Sequence, residues 1–252
     1  MQRNGNTIIQ QIPKKIRFFE QKINFFLVFC TGISIFALEM NAIIPYNELK
    51  MLGNIPIDSG VLRSLYADCK SPNMKISNLE KKGILIRLKR GMYVVSPEIS
   101  GKQPSLELIA NHIYGPSYVS LHYALRHYGL IPERVYMLTS VTTRHTRQFE
   151  NSLATFSYRG VSKEYFPIGI KREEEEDISY LIATPEKALC DMLMAEKHVP
   201  DQSVTSLEVF FEEDMRINVD DLRQMDLKII RACMENGNKK NTLMNLLKLI
   251  ER

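Results

Sequence analysis

Apolar residues first recur at helical spacing in "PYNELKMLG" (45–53), where Leu49 and Leu52 share a face and Gly53 closes the segment. "PIDSGVLRSLYADC" (56–69) repeats the pattern, with Asp58 or Ser59 placed to cap a helix that carries Val61, Leu62 and Leu65. A third helix is predicted from Ser71, a good N-cap, and Pro72, whose missing N–H costs nothing at the first helical position. Ile76 and Leu79 are its apolar pair and Gly83 its stop. From Ile84 the period changes to two. Ile84, Ile86 and Leu88 are expected to point one way and Leu85, Arg87 and Lys89 the other, with "KRG" as a tight turn and Met92 to Val95 as the returning strand.

"SPEISGKQP" (96–104) then breaks the pattern with Pro, Gly and Ser and predicts a joint between two domains. Beyond it, Ser105 is placed to cap "LELIANHIY" and Ser120 to cap "LHYALRHYGL", which Gly129 ends. Strand-like segments follow in "RVYMLTSV", "LATFSYRGV", "YFPIGI" and "ISYLIA", and "KREEEED" (171–177) reads as an exposed acidic loop between two of them. Thr184 and Pro185 open a helix through "TPEKALCDMLMAEK". The tail from Ser206 reads as helices, the last with Leu243, Leu246, Leu247 and Ile250 on one side. The expected class is therefore α+β: three short helices and a hairpin over 41–100, then a mixed domain over 105–252 that ends in helices.

Residues 23–38, "INFFLVFCTGISIFAL", are an apolar run behind Lys14, Lys15, Arg17 and Lys22, the order of a secretory signal or short anchor. The run falls short of the roughly 20 residues of a spanning helix, and "FALEM" is a poor cleavage site. Three readings of 1–40 stay open: an anchor, a packed helix, or upstream sequence ahead of a true start at Met40. An exported chain would not suit the charge pattern described next, so a cytoplasmic protein with no membrane partner is expected.

Charge sharpens the picture of 41–100. The net charge of +4 is unevenly distributed, and Lys70 to Gly91 holds seven Lys or Arg against one acid. Three helices and a basic hairpin in this order predict a winged helix-turn-helix, in which the third helix enters the major groove and the hairpin lies along the backbone. Lys70, Lys75, Lys81, Lys82, Arg87, Lys89 and Arg90 are then candidates for phosphate contacts. Ser71, Asn73, Lys75 and Asn78 are candidates for base edges. The competing reading is a solvated basic face with no partner.

Four segments carry a resemblance. "YVSLHYALRHYGLIPE" (118–133), "VTTRHTRQF" (141–149), "FSYRGV" (156–161) and "IATPEKALCDML" (182–193), together with the hairpin "RLKRGMYVV", resemble the AbiEi-type antitoxins of type IV toxin–antitoxin systems linked to abortive phage infection. The resemblance spans roughly 41–250. It implies a winged helix that represses its own operon at inverted repeats in double-stranded promoter DNA. It also implies a C-terminal antitoxin domain (105–252) that counteracts a nucleotidyltransferase-like toxin without a stable complex. Two other readings remain: a stand-alone winged-helix regulator whose C-terminal domain senses a ligand or partner, and an enzyme acting on nucleotides.

The enzyme reading lacks a site. Neither G-x-x-x-x-G-K-[ST] nor G-x-G-x-x-G occurs, and His122 and His127, five apart, do not share a helix face. Cys30, Cys69, Cys190 and Cys233 form no CxxC pair and are expected as buried reduced thiols. Glu186, Lys187 and Asp191 resemble acid/base residues, but Lys187 and Asp191 at i, i+4 are accounted for by a helix ion pair, and Glu186 by the helix dipole. Arg144 and Arg147, in a hydroxyl-rich basic cluster with Thr142, Thr143 and His145, are candidates for RNA or phosphate contact, against a plain strand end. No catalytic residue, metal or cofactor is expected.

Overall fold

The computed structural model describes residues 47–133, 135–175, 177–200 and 203–252. The expectations for 1–40, including the apolar run and the start at Met40, lie outside the described residues, as does Cys30. The protein is mixed α+β, with two sheets among the described residues. Among the described residues no helix is long and apolar enough to cross a membrane.

Residues 47–51 are helical and bury Leu49. A strand of two residues, β1 (Ile57–Asp58), precedes α1 (Ser59–Leu65), which Asp58 caps by accepting the Gly60 N–H at 2.6 Å. Helix α2 (Pro72–Lys81) buries Ile76 and Leu79 and ends before Gly83, whose φ of +71° suits a residue without Cβ. Strands β2 (Leu85–Lys89) and β3 (Met92–Val95) pair antiparallel, and β1 adds to the outer edge of β3, giving the order β1-β3-β2. The strict alternation expected after Ile84 does not hold. The register shifts between Arg87 and Lys89, and this bulge brings Leu88 inward on the same side of the core as Leu85.

After a short α3 (Pro97–Ser100) come α4 (Leu106–Ile113), β4 (Ser117–Val119), α5 (Leu121–His127), β5 (Met137–Thr142), β6 (Arg147–Glu150), β7 (Thr155–Gly160), β8 (Ile170–Glu175) and β9 (Ile178–Ala183). The six strands β4 to β9 form one sheet in the order β6-β7-β5-β4-β9-β8, with β5–β7 and β4–β9 parallel and the other pairs antiparallel. The segment expected as an acidic loop is thus mostly strand β8. It lies at a sheet edge, where charged side chains are tolerated, and its charges pair across alternate positions: Lys171 with Glu173 at 2.6 Å and Arg172 with Glu174 at 2.9 Å. Strands β4 and β6 are not legible in the sequence, because runs of three and four residues carry too little periodicity.

Neighbouring strand residues point to opposite faces, and this sandwiches the sheet. On one face Ser117 and Tyr158 both donate to the Ala110 carbonyl of α4. On the other face Tyr118 reaches α6 (Pro185–Ala195), capped by Thr184 as expected. Helices α7 (Val204–Val209, continuing into a wider turn to Asp214), α8 (Val219–Leu222), α9 (Leu227–Asn236) and α10 (Lys240–Ile250) complete the chain, and α10 buries the four aliphatic residues named above. One continuous core joins the six-stranded sheet to Leu88 and Val94 of the hairpin.

Gly169, with φ at +60°, sets how closely the turn before β8 approaches α6. A Cβ there would come within 2.8 Å of Lys187 Cβ and 2.9 Å of Ile229 Cγ2. Gly169→Ala combines left-handed strain with overpacking, so a loss of about 2–4 kcal/mol is expected in urea unfolding. Unchanged stability would show that α6 can shift to make room.

Candidate functional site

Two groups of side chains stand out: an exposed basic and amide face on α2 and the hairpin, and a buried polar centre on α6.

On α2, Asn73, Asn78, Lys81 and Lys82 are exposed, as are Lys70 and Ser71 just before it. Ser71 occupies the N-cap position without a capping bond from its side chain, and its hydroxyl has no hydrogen bond among the described residues. The remaining cations are partly committed. Lys75 rests its ammonium over the buried Tyr66 ring, 5.9 Å from the centroid. Arg87 pairs with Glu80 at 3.0 Å, tying the hairpin to α2, and lies 5.8 Å from the centre of the Tyr93 ring. These contacts hold its pKa above the usual arginine value, the bond to Tyr93 contributing most. Lys89 is expected from its sequence position on the open side of the hairpin. The bulge instead turns it inward, and its ammonium donates to the Ile113 carbonyl at the end of α4, at 2.6 Å. Burial, then the charge of Arg144, lowers its pKa. The side chains of Lys70, Lys81, Lys82 and Arg90 have no ion pair or hydrogen bond among the described residues.

The hairpin meets the second sheet at this same end. Asn151, just after β6, donates to the Leu88 carbonyl at 3.1 Å while its own Oδ1 accepts from the N–H groups of Leu153 and Ala154. Arg144 and Arg147 flank the turn between β5 and β6, both exposed. Arg144 lies over Tyr114 at 5.4 Å and Arg147 over Phe149 at 4.9 Å, and these two rings pack with Tyr158. Cation–π contact fixes the guanidinium stems and leaves their donors facing water. The two basic segments, more than fifty positions apart in sequence, are thus close enough for Arg144 and Arg147 to act on the Lys89 charge.

The buried centre is built around Lys187 and Asp191. They pair at 3.2 Å with side chains 0% and 1% exposed, so the expected i, i+4 ion pair is present but is not a surface one. Asp191 also accepts from Tyr165 at 2.7 Å, Ser120 at 2.6 Å and Tyr118 at 3.0 Å. Lys187 donates to the Tyr165 carbonyl at 3.1 Å and sits over its ring. Burial, reinforced by the carboxylate, pushes the phenols of Tyr118 and Tyr165 up, which keeps both as donors. Ser120, expected as a helix cap, spends its hydroxyl on Asp191 instead. Glu186 lies apart from this centre and accepts the Asp226 N–H at 3.2 Å, tying α6 to the start of α9. Glu186, Lys187 and Asp191 therefore do not converge on a shared open space.

Beside the centre lies a cavity of about 110 Å³ at the carboxyl ends of the parallel strands β5 and β7, lined by Arg159, Ser162, Tyr165, Asp191, Asn236 and Asn238 among others. Cys190 and Cys233 are buried thiols. Their mutual hydrogen bond, then burial, pushes the Cys190 thiol up. Cys69 is exposed, correcting the expectation of burial there, because it follows α1 in a solvent-facing turn. Among the described residues no group of three His, Cys, Asp or Glu could hold a metal ion. Tyr118, Ser120, Tyr165 and Asn151 give no signal in the sequence: their partners lie 26 to 73 positions away, and only the polar spacing of Lys187 and Asp191 hints at the centre.

Compared with known proteins, the chain is matched by no model of a protein family and by no curated protein.

Removing one partner of a buried pair leaves an uncompensated charge. Lys187→Met should therefore lower the unfolding free energy by about 3–5 kcal/mol. Tyr165→Phe, which removes one donor from Asp191, should cost about 1–3 kcal/mol. Urea denaturation of the full chain reads both, and a Lys187→Met protein as stable as the parent would contradict the buried-pair assignment.

Proposed function

We propose that the chain is a sequence-specific regulator that binds duplex DNA, with 41–100 acting as a winged helix-turn-helix. The observation that carries this is the outward face of α2. Asn73 and Asn78 are open there among Lys70, Lys81 and Lys82, whose side chains have no ion pair among the described residues, while Ile76 and Leu79 anchor the opposite side. Amides read base edges and ammonium groups neutralise phosphates. Arg90 at the hairpin turn, and Arg144 and Arg147 at the adjoining turn of the second sheet, extend the same charge.

The resemblance of roughly 41–250 to AbiEi-type antitoxins supports the narrower reading. In it the protein represses its own promoter at inverted repeats and counteracts a nucleotidyltransferase-like toxin in the cytoplasm, with residues 105–252 carrying the antitoxin task and no catalysis of its own. The cavity beside Asp191 favours a second reading, a stand-alone regulator whose C-terminal part senses a small polar ligand. A toxin gene beside this one, and rescue of growth by this chain, separates the two.

DNA binding is tested by fluorescence anisotropy with the promoter duplex over a range of salt. Combining Lys70→Gln, Lys81→Gln, Lys82→Gln and Arg90→Gln should flatten log K against log salt by about 0.9 for each phosphate left without its cation. An affinity of the parent protein that stays constant from low to moderate salt would count against the whole reading.

A further inference from the structure

Resting on the DNA-binding reading, we infer that Met74 is a base-reading residue, its side chain taking up the 5-methyl group of a thymine in the major groove.

Met74 is 63% exposed on α2. At 3.6 residues per turn it falls opposite the direction in which Ile76 and Leu79 bury themselves, so it marks the middle of the outward face. Asn78 and Lys81 follow it at i+4 and i+7, and Ser71 precedes it at i−3, all exposed and all on the same side. It lies in the first turn of the helix, and its side chain leans toward the N-terminus, the end that meets base edges when such a helix enters the groove. The other markedly exposed apolar residues, Met51 and Tyr136 among them, lie outside α2 and its ring of cations and amides.

An apolar group in the centre of a polar, cationic face needs an apolar counterpart within a negatively charged partner. Duplex DNA offers one: the thymine methyl, flanked in the groove by acceptors and donors that Asn78 and Asn73 can meet. The charge around Met74 argues for DNA over an apolar protein groove, since Lys81 and Lys82 would have to be desolvated against such a groove. Methionine suits the task, because its three rotatable bonds and polarisable sulfur adapt to the shape of the base step.

The test uses the full chain and binding sites selected from a random duplex library. Each thymine of the selected site is replaced in turn by deoxyuridine, which lacks only the methyl group. At one thymine the replacement should weaken binding of the parent protein about fourfold, the worth of one buried methyl-sized group. The same replacement should leave Met74→Ala unaffected, while Met74→Leu stays sensitive. The salt slope of Met74→Ala should equal that of the parent, since the substitution removes no cation from the phosphates. Sites bound with no thymine coupled to residue 74 overturn this inference alone, and would assign the exposed thioether to a protein contact. Failure to bind any duplex defeats the DNA reading itself and this inference with it.

Discussion

The ion pair between Lys187 and Asp191 is the interaction around which the six-stranded sheet and its helices are arranged. Taking two charges out of water costs several kcal/mol each, and their attraction offsets this only when the remaining lone pairs and protons are also satisfied. Here they are. Asp191 collects hydroxyls from β4 (Tyr118), the start of α5 (Ser120) and the loop after β7 (Tyr165), while Lys187 takes the Tyr165 carbonyl and ring. Four separate parts of the chain must therefore arrive together. The requirement shows in the backbone: Leu121, next to Ser120, adopts φ of +60°, a conformation that costs a residue with a Cβ about 1–2 kcal/mol. A helix that began normally at Ser120 would turn its hydroxyl onto the helix N–H groups and away from Asp191.

The second organising contact joins the hairpin to that sheet. Lys89 and Leu88, neighbours on β2, are each held by the sheet side, one through the Ile113 carbonyl and one through Asn151. Leu88 is held through its backbone carbonyl, which lies in the plane of the strand, whereas the bulge turns the Lys89 side chain toward Ile113. A cation is spent internally, and in return the hairpin has a fixed position beside the turn that carries Arg144 and Arg147. Rigid placement matters for a charged surface: cations held at fixed spacing can match phosphates without losing further side-chain entropy on binding.

Legibility in the sequence follows the range of the forces involved. Caps, glycine stops and helical periods are local, so α1, α2, α4, α6 and α10 can be read from Asp58, Gly83, Ser105, Thr184 and the leucines of the tail. The edge strand β8 differs from its expectation because five consecutive acids look like a loop until the partner strand is known. The basic face is legible as composition, but the division between open and committed cations is not. Nothing in "RLKRG" says that Lys89 will turn to Ile113 while Arg90 stays in water. Asp191 and Lys187 are visible as a pair; their burial depends on Tyr118 and Tyr165, which no local pattern connects to them.

That division shapes how a nucleic acid would be held. Of the cations between Lys70 and Gly91, Lys75, Arg87 and Lys89 are engaged with Tyr66, Glu80 and Ile113, so under the proposed function the sequence-independent attraction would rest on the others and on Arg144 and Arg147. Non-specific affinity scales with phosphates neutralised, whereas discrimination scales with base-edge contacts. A face with few free ammonium groups, with Met74 and Asn78 at its open centre and Asn73 on its flank, would lower the first relative to the second. On the proposed DNA-binding reading, such a surface would gain little from any one stretch of backbone and would depend on the right bases being present, as a selective regulator requires.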